Sequence, residues 1–181
     1  MVVEKKQDER KGLVQVYTGA GKGKTTAALG LAMRACGHGR KVLMICFMKG
    51  DPNYGEVRIS RKIPNFTLIQ SGLPTFVKKG HPSEEDVQLA REGFRKAQNA
   101  LKQKSYDLVI LDEVNVAVDY GLLSLQEVMD LIQKRPASVE LVLTGRYAHP
   151  EMVKSADLVS EIVEIKHPFQ KGISSREGID F

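Results

Sequence analysis

The chain has 181 residues, 42% of them hydrophobic, and carries a net charge of +5 with a pI near 9.2. This length and composition predict one domain with a sizeable core, and no apolar run approaches the roughly twenty residues of a membrane-spanning helix. The N-terminal stretch is charged and lacks the apolar region of a signal peptide. We therefore expect a charged, flexible segment at 1–11, a single domain at 12–181 and a cytoplasmic location.

The cysteines and the basic residues exclude further classes of protein. Cys36 and Cys46 provide no disulfide framework, and with four scattered histidines they form no metal-ligand cluster. We expect both thiols to be reduced and to lie in the core. The lysines and arginines form no stripe with interleaved aromatic residues, so nucleic-acid binding is not expected.

The first predicted elements enclose a glycine-rich turn. A strand is predicted at Leu13–Tyr17 and a helix at Thr25–Cys36. A strand, a glycine-rich turn and a helix in this order make the turn a phosphate-binding loop, because backbone N–H groups and the helix dipole point at an anion there. The glycine spacing departs from the usual G-x-x-x-x-G-K-[ST] motif, since Thr18 stands where the first glycine is expected. The predicted nucleotide contacts are Gly19, Ala20, Gly21, Lys22, Gly23, Lys24, Thr25 and Thr26.

Two side chains of this loop have predicted chemical roles. Lys24 is expected to be exposed and to reach the terminal phosphates, and the Thr25 hydroxyl is suited to bind Mg²⁺. The loop therefore predicts that the chain binds a nucleotide polyphosphate.

Strands and helices alternate along the rest of the chain. Apolar runs, typical of buried parallel strands, predict strands at Lys41–Phe47, Phe66–Gln70, Tyr106–Glu113, Val139–Leu143 and Leu158–Ile165. Period-3.6 patterns and capping residues predict helices at Val57–Lys62, from Ser83 through Leu101, at Leu125–Lys134 and at Pro150–Ala156. This alternation predicts an α/β fold, a P-loop NTPase-like (RecA-like) three-layer sandwich with a mostly parallel sheet and helices on both faces.

Polar segments follow several of the predicted strands. They are the phosphate-binding loop, the loop Lys49–Glu56, the pair Asp112 and Glu113, and the run Thr144-Gly145-Arg146. Because ligands of such sheets bind at the carboxyl ends of the strands, we expect these segments to meet at one site. Asp112, Glu113 and Thr25 are the predicted metal ligands. Arg146 has two interpretations, a phosphate contact or an ion pair with an acidic neighbour.

The same segments resemble a known family when they are taken in order. The matching stretches are TGAGKGKTTAALG, RACGHGRKV, FMKG…YGE, VILDEVN…YGLL, LTGR and KHPFQKGISSREGIDF. From about Gly12 to Phe181 the chain closely resembles the P-loop type of ATP:corrinoid adenosyltransferase, also called cob(I)alamin adenosyltransferase. The C-terminal KHPF…GI-acid-aromatic signature is among the most specific matches, although physical reasoning from the sequence gives it no role.

This resemblance implies a reaction and its participants. The 5′-deoxyadenosyl group of ATP is transferred to the Co(I) centre of a corrinoid, which releases triphosphate and forms adenosylcobalamin or a related adenosylcorrinoid. Negative charge accumulates on the leaving triphosphate, so Lys24, Thr25 and Glu113 are the predicted catalytic residues. The resemblance also implies Mg²⁺ or Mn²⁺, an electron donor such as a flavodoxin or a flavin reductase, and a homodimer. It offers another role for segment 1–11, which is to fold over a bound corrinoid.

The sequence departs from the family pattern at two places. Ala20 stands where the family commonly has asparagine, which removes one side-chain contact to the nucleotide. The family also commonly has a Gly-Phe-Thr-Trp segment whose aromatic residues displace the axial ligand of the corrinoid. Here that segment reads Ser71–Val77, and the chain has no tryptophan. Phe76 is the candidate replacement for this aromatic wedge, and its alternative role is a hydrophobic anchor of a long loop. Tyr54 is predicted to border the corrin or the adenine, or to pack under its own loop.

Two rival functions use the same motifs. A P-loop ATPase or phosphotransferase would need the same phosphate-binding loop and acidic strand end. A nucleotide-dependent corrinoid carrier would bind both ligands without turnover.

Overall fold

The computed structural model describes residues 11–181, so the predicted segment 1–11 lies, except for Lys11, outside the described residues. Its six strands are β1 (Val14–Thr18), β2 (Val42–Phe47), β3 (Phe66–Ser71), β4 (Leu108–Asp112), β5 (Glu140–Thr144) and β6 (Leu158–Glu161). Its six α-helices are α1 (Lys24–Gly37), α2 (Gly55–Ser60), α3 (Glu84–Lys102), α4 (Val114–Asp119), α5 (Leu125–Lys134) and α6 (Pro150–Ser155), and a 3₁₀ turn follows at Pro168–Lys171.

The six strands form one sheet in the order β3-β2-β4-β5-β1-β6, and every neighbouring pair is parallel. β2 and β4 lie inside the sheet and are fully buried, which explains their continuous apolar sequences. The carboxyl ends of all six strands therefore point to the same edge, where the ligand site of such a sheet is expected.

Each face of the sheet packs against a different group of helices. Side chains alternate along β2, so Leu43, Ile45 and Phe47 share one core cluster with residues of α3 and α5, whereas Val42, Met44 and Cys46 share another with residues of α1. The prediction of an α/β fold with a parallel sheet between two helical layers is thus confirmed. Cys46 is buried as expected, whereas Cys36 is only partly buried, and both thiols are free.

Most predicted elements are observed within a few residues of their expected ends. Ser83 and Ser124 form capping boxes with Asp86 and Glu127, which fixes the starts of α3 and α5. Among residues 11–181, no helix is long and apolar enough to cross a membrane.

The secondary structure departs from the prediction at two places. Helix α4 was not predicted, because its valines at positions 114, 116 and 118 favour a strand over a helix. The last strand ends at Glu161 instead of Ile165. It ends there because the chain leaves the sheet at Ile162 and crosses the phosphate-binding loop, where the Ile162 carbonyl accepts a 2.7 Å hydrogen bond from the Gly21 N–H.

Candidate functional site

The phosphate-binding loop lies between the carboxyl end of β1 and the first turn of α1. Gly19 and Gly23 have φ values of 96° and 124°, which disfavour a side chain. A Cβ at Gly19 would overlap the carbonyl of Ile162, and one at Gly21 would lie 2.7 Å from the carbonyl oxygen of Val163. The unusual glycine spacing is thus explained, because two of the glycines make room for the chain that follows β6.

Lys24 is buried, and the expectation that it would be exposed was wrong. Its ammonium donates hydrogen bonds of 2.8 Å to the carbonyl of Gly19 and 2.7 Å to the carbonyl of Gly21. Burial lowers the pKa of Lys24, while the nearby Glu113 carboxylate opposes that shift. The cation is therefore held inside the loop, within reach of any anion that the loop binds.

Asp112 is the centre of the polar network beneath the loop. It is fully buried at the end of β4, and its Oδ1 accepts hydrogen bonds from the hydroxyls of Thr25 at 3.0 Å and Thr144 at 2.7 Å. Its Oδ2 accepts a 2.7 Å hydrogen bond from the Lys49 ammonium. The network joins the ends of β2, β4 and β5 to the first turn of α1.

Lys49 gives Asp112 its counter-charge. The Lys49 ammonium also lies 3.2 Å from Thr25 Oγ1, so it contacts two of the three predicted metal-site residues, Asp112 and Thr25. Burial alone would lower the pKa of Lys49, but the Asp112 carboxylate outweighs burial and raises it above its usual value. Lys49 is therefore protonated, and Asp112 is a paired buried carboxylate.

Glu113 has a constrained backbone. Its φ of 61° is in the left-handed region, and its N–H donates a 3.0 Å hydrogen bond to Thr144 Oγ1. A Cβ at Gly145 would lie 3.2 Å from Glu113 Oε2, so the glycine leaves room for the carboxylate. Burial, together with the adjacent charge of Asp112, raises the pKa of Glu113.

These oxygen atoms fit a small divalent cation that also binds phosphate. Mg²⁺ commonly takes one or two carboxylates plus substrate oxygens. Across residues 11–181, no three His, Cys, Asp or Glu side chains form a complete metal-binding group. Asp112 already accepts three hydrogen bonds, so Thr25 and Glu113 are the more available ligands.

A cleft of about 1040 Å³ opens above this network. Gly21, Lys22, Gly23, Lys24, Thr25, Thr26, Tyr54, Phe76, Glu113 and Arg146 all contribute to its lining, whereas Gly19, Ala20 and Asp112 do not. The Phe76 side chain is fully exposed, so packing within this chain gives no support to the loop-anchor alternative. The Tyr54 and Phe181 ring centroids are 6.0 Å apart across the cleft wall. The cleft thus combines a phosphate-binding loop with exposed aromatic surface.

Comparison with known proteins agrees with this combination. The family model described as ATP:corrinoid adenosyltransferase BtuR/CobO/CobP matches residues 10–181. The chain belongs to the ATP:corrinoid adenosyltransferase family. The predicted ATP-dependent corrinoid adenosyltransferase activity is therefore confirmed.

Several bacterial relatives share most of their length with this adenosyltransferase. A corrinoid adenosyltransferase of Escherichia coli (strain K12) is 39% identical over 179 residues, which are 99% of this chain and 90% of the relative. One from Pseudomonas aeruginosa is 37% identical, covering 97% of this chain and 86% of the relative. Corrinoid adenosyltransferase CobA of Salmonella typhimurium is 36% identical, covering 99% and 90%.

Sequence reasoning gave no individual role to three polar residues of this adenosyltransferase. Lys49 was noticed only as the start of a loop, Thr144 only as part of a polar run, and Asp180 only as part of the C-terminal signature. A lysine two residues after the end of a buried strand was a usable signal for Lys49, because that position lies at the ligand edge of the sheet. The pairing of Asp180 with Lys22 had no local signal, since the two residues are 158 positions apart.

Proposed function

We propose that the Co(I) lone pair of the corrinoid attacks the ribose C5′ of ATP in the cleft lined by Lys24 and Phe76. The new cobalt–carbon bond forms as the C5′–O5′ bond breaks, and triphosphate leaves with the bonding electron pair. Cobalt supplies the electrons, so no general base is required. The observation that carries this proposal is that one cleft contains the phosphate-binding loop, the half-buried side chain of Tyr54 and the exposed side chain of Phe76.

Stabilisation of the leaving triphosphate is the proposed role of Lys24 and the loop N–H groups. Donors that are already oriented need little rearrangement as negative charge develops, and they act strongly in a site that excludes water. Lys24 satisfies this condition, because two carbonyls of its own loop hold its ammonium. Arg146 is exposed on the same cleft, which supports its interpretation as a phosphate contact.

Thr25 and Glu113 are the proposed ligands of Mg²⁺, or of Mn²⁺ in its place. The ion would supply positive charge to the triphosphate oxygens. Asp112 would orient the Thr25 hydroxyl by accepting its hydrogen bond. Lys49 contacts both Asp112 Oδ2 and Thr25 Oγ1, so it would help to hold the Thr25 hydroxyl in place.

Phe76 and Tyr54 are the proposed corrinoid contacts. An exposed phenyl ring on the wall of the cleft can exclude an axial ligand from cobalt, because the ring is bulky and apolar. Such a role favours the reduction of Co(II) to Co(I), which an external flavodoxin or flavin reductase would carry out. A homodimer and a cytoplasmic location also remain proposals from the family resemblance.

Product analysis tests the reaction. The protein is incubated with ATP, Mg²⁺ and cobalamin that has been reduced chemically to Co(I). We expect triphosphate and a light-sensitive cobalt–carbon product in equal amounts. Release of ADP and phosphate would support the phosphotransferase alternative, and tight corrinoid binding without product would support the carrier.

A further inference from the structure

The C-terminal signature has a structural relationship with the phosphate-binding loop. After β6 the chain passes behind the loop at Ile162, and it later returns to the front of the loop at Ile179 and Asp180. The returning segment, Arg176–Phe181, is here called the tail latch. Gly178, Ile179, Asp180 and Phe181 line the same cleft as Lys24 and Glu113.

Asp180 is the main connection between the tail latch and the loop. It forms an ion pair with the ammonium of Lys22, which also donates a 3.2 Å hydrogen bond to the carbonyl of Ile179. The backbone N–H and the Nε of Arg176 donate to Asp180 Oδ2 at 2.9 and 3.0 Å. Asp180 is thus oriented within its own segment while one of its oxygens holds the loop lysine.

Phe181 extends the contact across the cleft. Its ring lies beside that of Tyr54, with 6.0 Å between the centroids. The tail latch therefore covers an aromatic side chain that is a proposed corrinoid contact. A corrinoid that bound against Tyr54 would compete with Phe181 for the same surface.

We propose that the tail latch is a closure that ATP displaces, because Asp180 and the polyphosphate of ATP compete for the Lys22 ammonium. This inference rests on the proposed function, since it assumes that the polyphosphate binds at the loop that carries Lys22. Ion pairs exposed to water contribute little, and the Lys22 side chain is 43% exposed. The polyphosphate of ATP carries more negative charge than one carboxylate, and it too forms charge-assisted hydrogen bonds with lysine. The anionic Asp180 also repels an incoming polyphosphate, so its release favours binding.

Direct binding of ATP with Mg²⁺, measured by calorimetry without corrinoid, tests this competition. Asp180→Asn keeps the shape of the side chain but removes its charge. We expect the Kd for ATP to fall about two- to five-fold, the range that loss of an exposed ion pair allows. Asp180→Glu keeps the charge and should leave the Kd close to that of the wild type.

Glu177→Gln is the matched control. Glu177 lies in the same segment, is more exposed than Asp180 and pairs only loosely with Arg58 at 3.9 Å. Its substitution makes the same change in net charge without touching Lys22, so the Kd should stay unchanged. An unchanged or higher Kd in Asp180→Asn, or an equal fall in both variants, would overturn the proposal.

Hydrogen exchange at Arg176–Phe181 provides a second measurement. Addition of inorganic triphosphate with Mg²⁺ to the wild-type protein should speed amide exchange there, and unchanged or slower exchange would overturn the latch. If the tail-latch proposal is wrong, the wild-type protein still forms the adenosylation product. Absence of that product would instead contradict the proposed function, so the two failures are distinguishable.

Discussion

The Lys49 ammonium lies 2.7 Å from Oδ2 of Asp112 and 3.2 Å from the hydroxyl oxygen of Thr25. One partly buried cation thus neutralises the carboxylate at the end of β4 and orients the hydroxyl at the start of α1. Asp112 is fully buried, so Lys49 is the counter-charge that compensates for taking its carboxylate out of water. Lys49 therefore links the stability of the sheet edge to the organisation of the site.

Lys49→Met should lower both stability and activity. The substitution keeps much of the side-chain volume but leaves a buried carboxylate without its cation, so we expect the free energy of unfolding to fall by about 3 kcal/mol. Denaturant unfolding measures this loss. The double variant Lys49→Met/Asp112→Asn, which removes both charges, should recover much of it. A double variant no more stable than Lys49→Met would contradict the ion-pair explanation.

Lys24→Ala should reduce kcat by about 100- to 1000-fold, because it removes one oriented cation from the leaving triphosphate. The carbonyls of Gly19 and Gly21 would also lose their donor, so a stability loss of about 1–2 kcal/mol is expected. Steady-state rates at saturating ATP, well below the unfolding temperature, separate the two effects. Lys96→Ala removes an exposed lysine of α3 and should change neither property. A near-wild-type rate for Lys24→Ala would show that the phosphate-binding loop is not the catalytic centre.

Glu113→Gln should lower activity in a way that added Mg²⁺ partly reverses. Glutamine keeps the size of the side chain but is a weaker ligand for a hard cation, so more metal is needed to fill the site. The measurement is the Mg²⁺ concentration that gives half-maximal rate, which should rise in this variant. Glu85→Gln, at the exposed start of α3, should leave it unchanged. Loss of activity that is the same at every Mg²⁺ concentration would indicate a role other than metal binding.

The elements of the sheet could be predicted because buried parallel strands are continuous apolar runs, as β2 and β4 are. The convergence of the loop, Asp112 and Glu113 followed from the rule that strand ends of a parallel sheet share one edge. Helix α4 could not be predicted, because it follows a left-handed residue, Glu113, and contains β-branched residues that favour strands.

The individual contacts were beyond local sequence reasoning. The ion pair of Lys49 with Asp112 joins residues 63 positions apart, and the contact of Lys22 with Asp180 joins residues 158 positions apart. The burial of Lys24 depends on loop carbonyls that turn inward, which the residue types do not reveal. Such features arise from how distant elements pack.

Phe76→Ala distinguishes the two roles that the sequence left open for this side chain. As a wedge, Phe76 acts before cobalt attacks carbon, by keeping the axial ligand away from Co(II). Its removal should therefore slow adenosylation that starts from cob(II)alamin with a flavin reductant. The rate should stay normal when Co(I) is prepared in advance with a strong chemical reductant. The fully exposed ring predicts little change in thermal stability, because it buries no apolar surface in this chain.

A different pattern would support the loop anchor. In that case Phe76→Ala would lower the melting temperature and reduce both rates to a similar degree. Phe76→Leu is a useful companion, since it keeps an apolar side chain while removing the flat ring, and a wedge should tolerate it only in part. Wild-type rates for Phe76→Ala in both assays would exclude the wedge, and Tyr54 would become the next aromatic side chain to test, because it lines the same cleft.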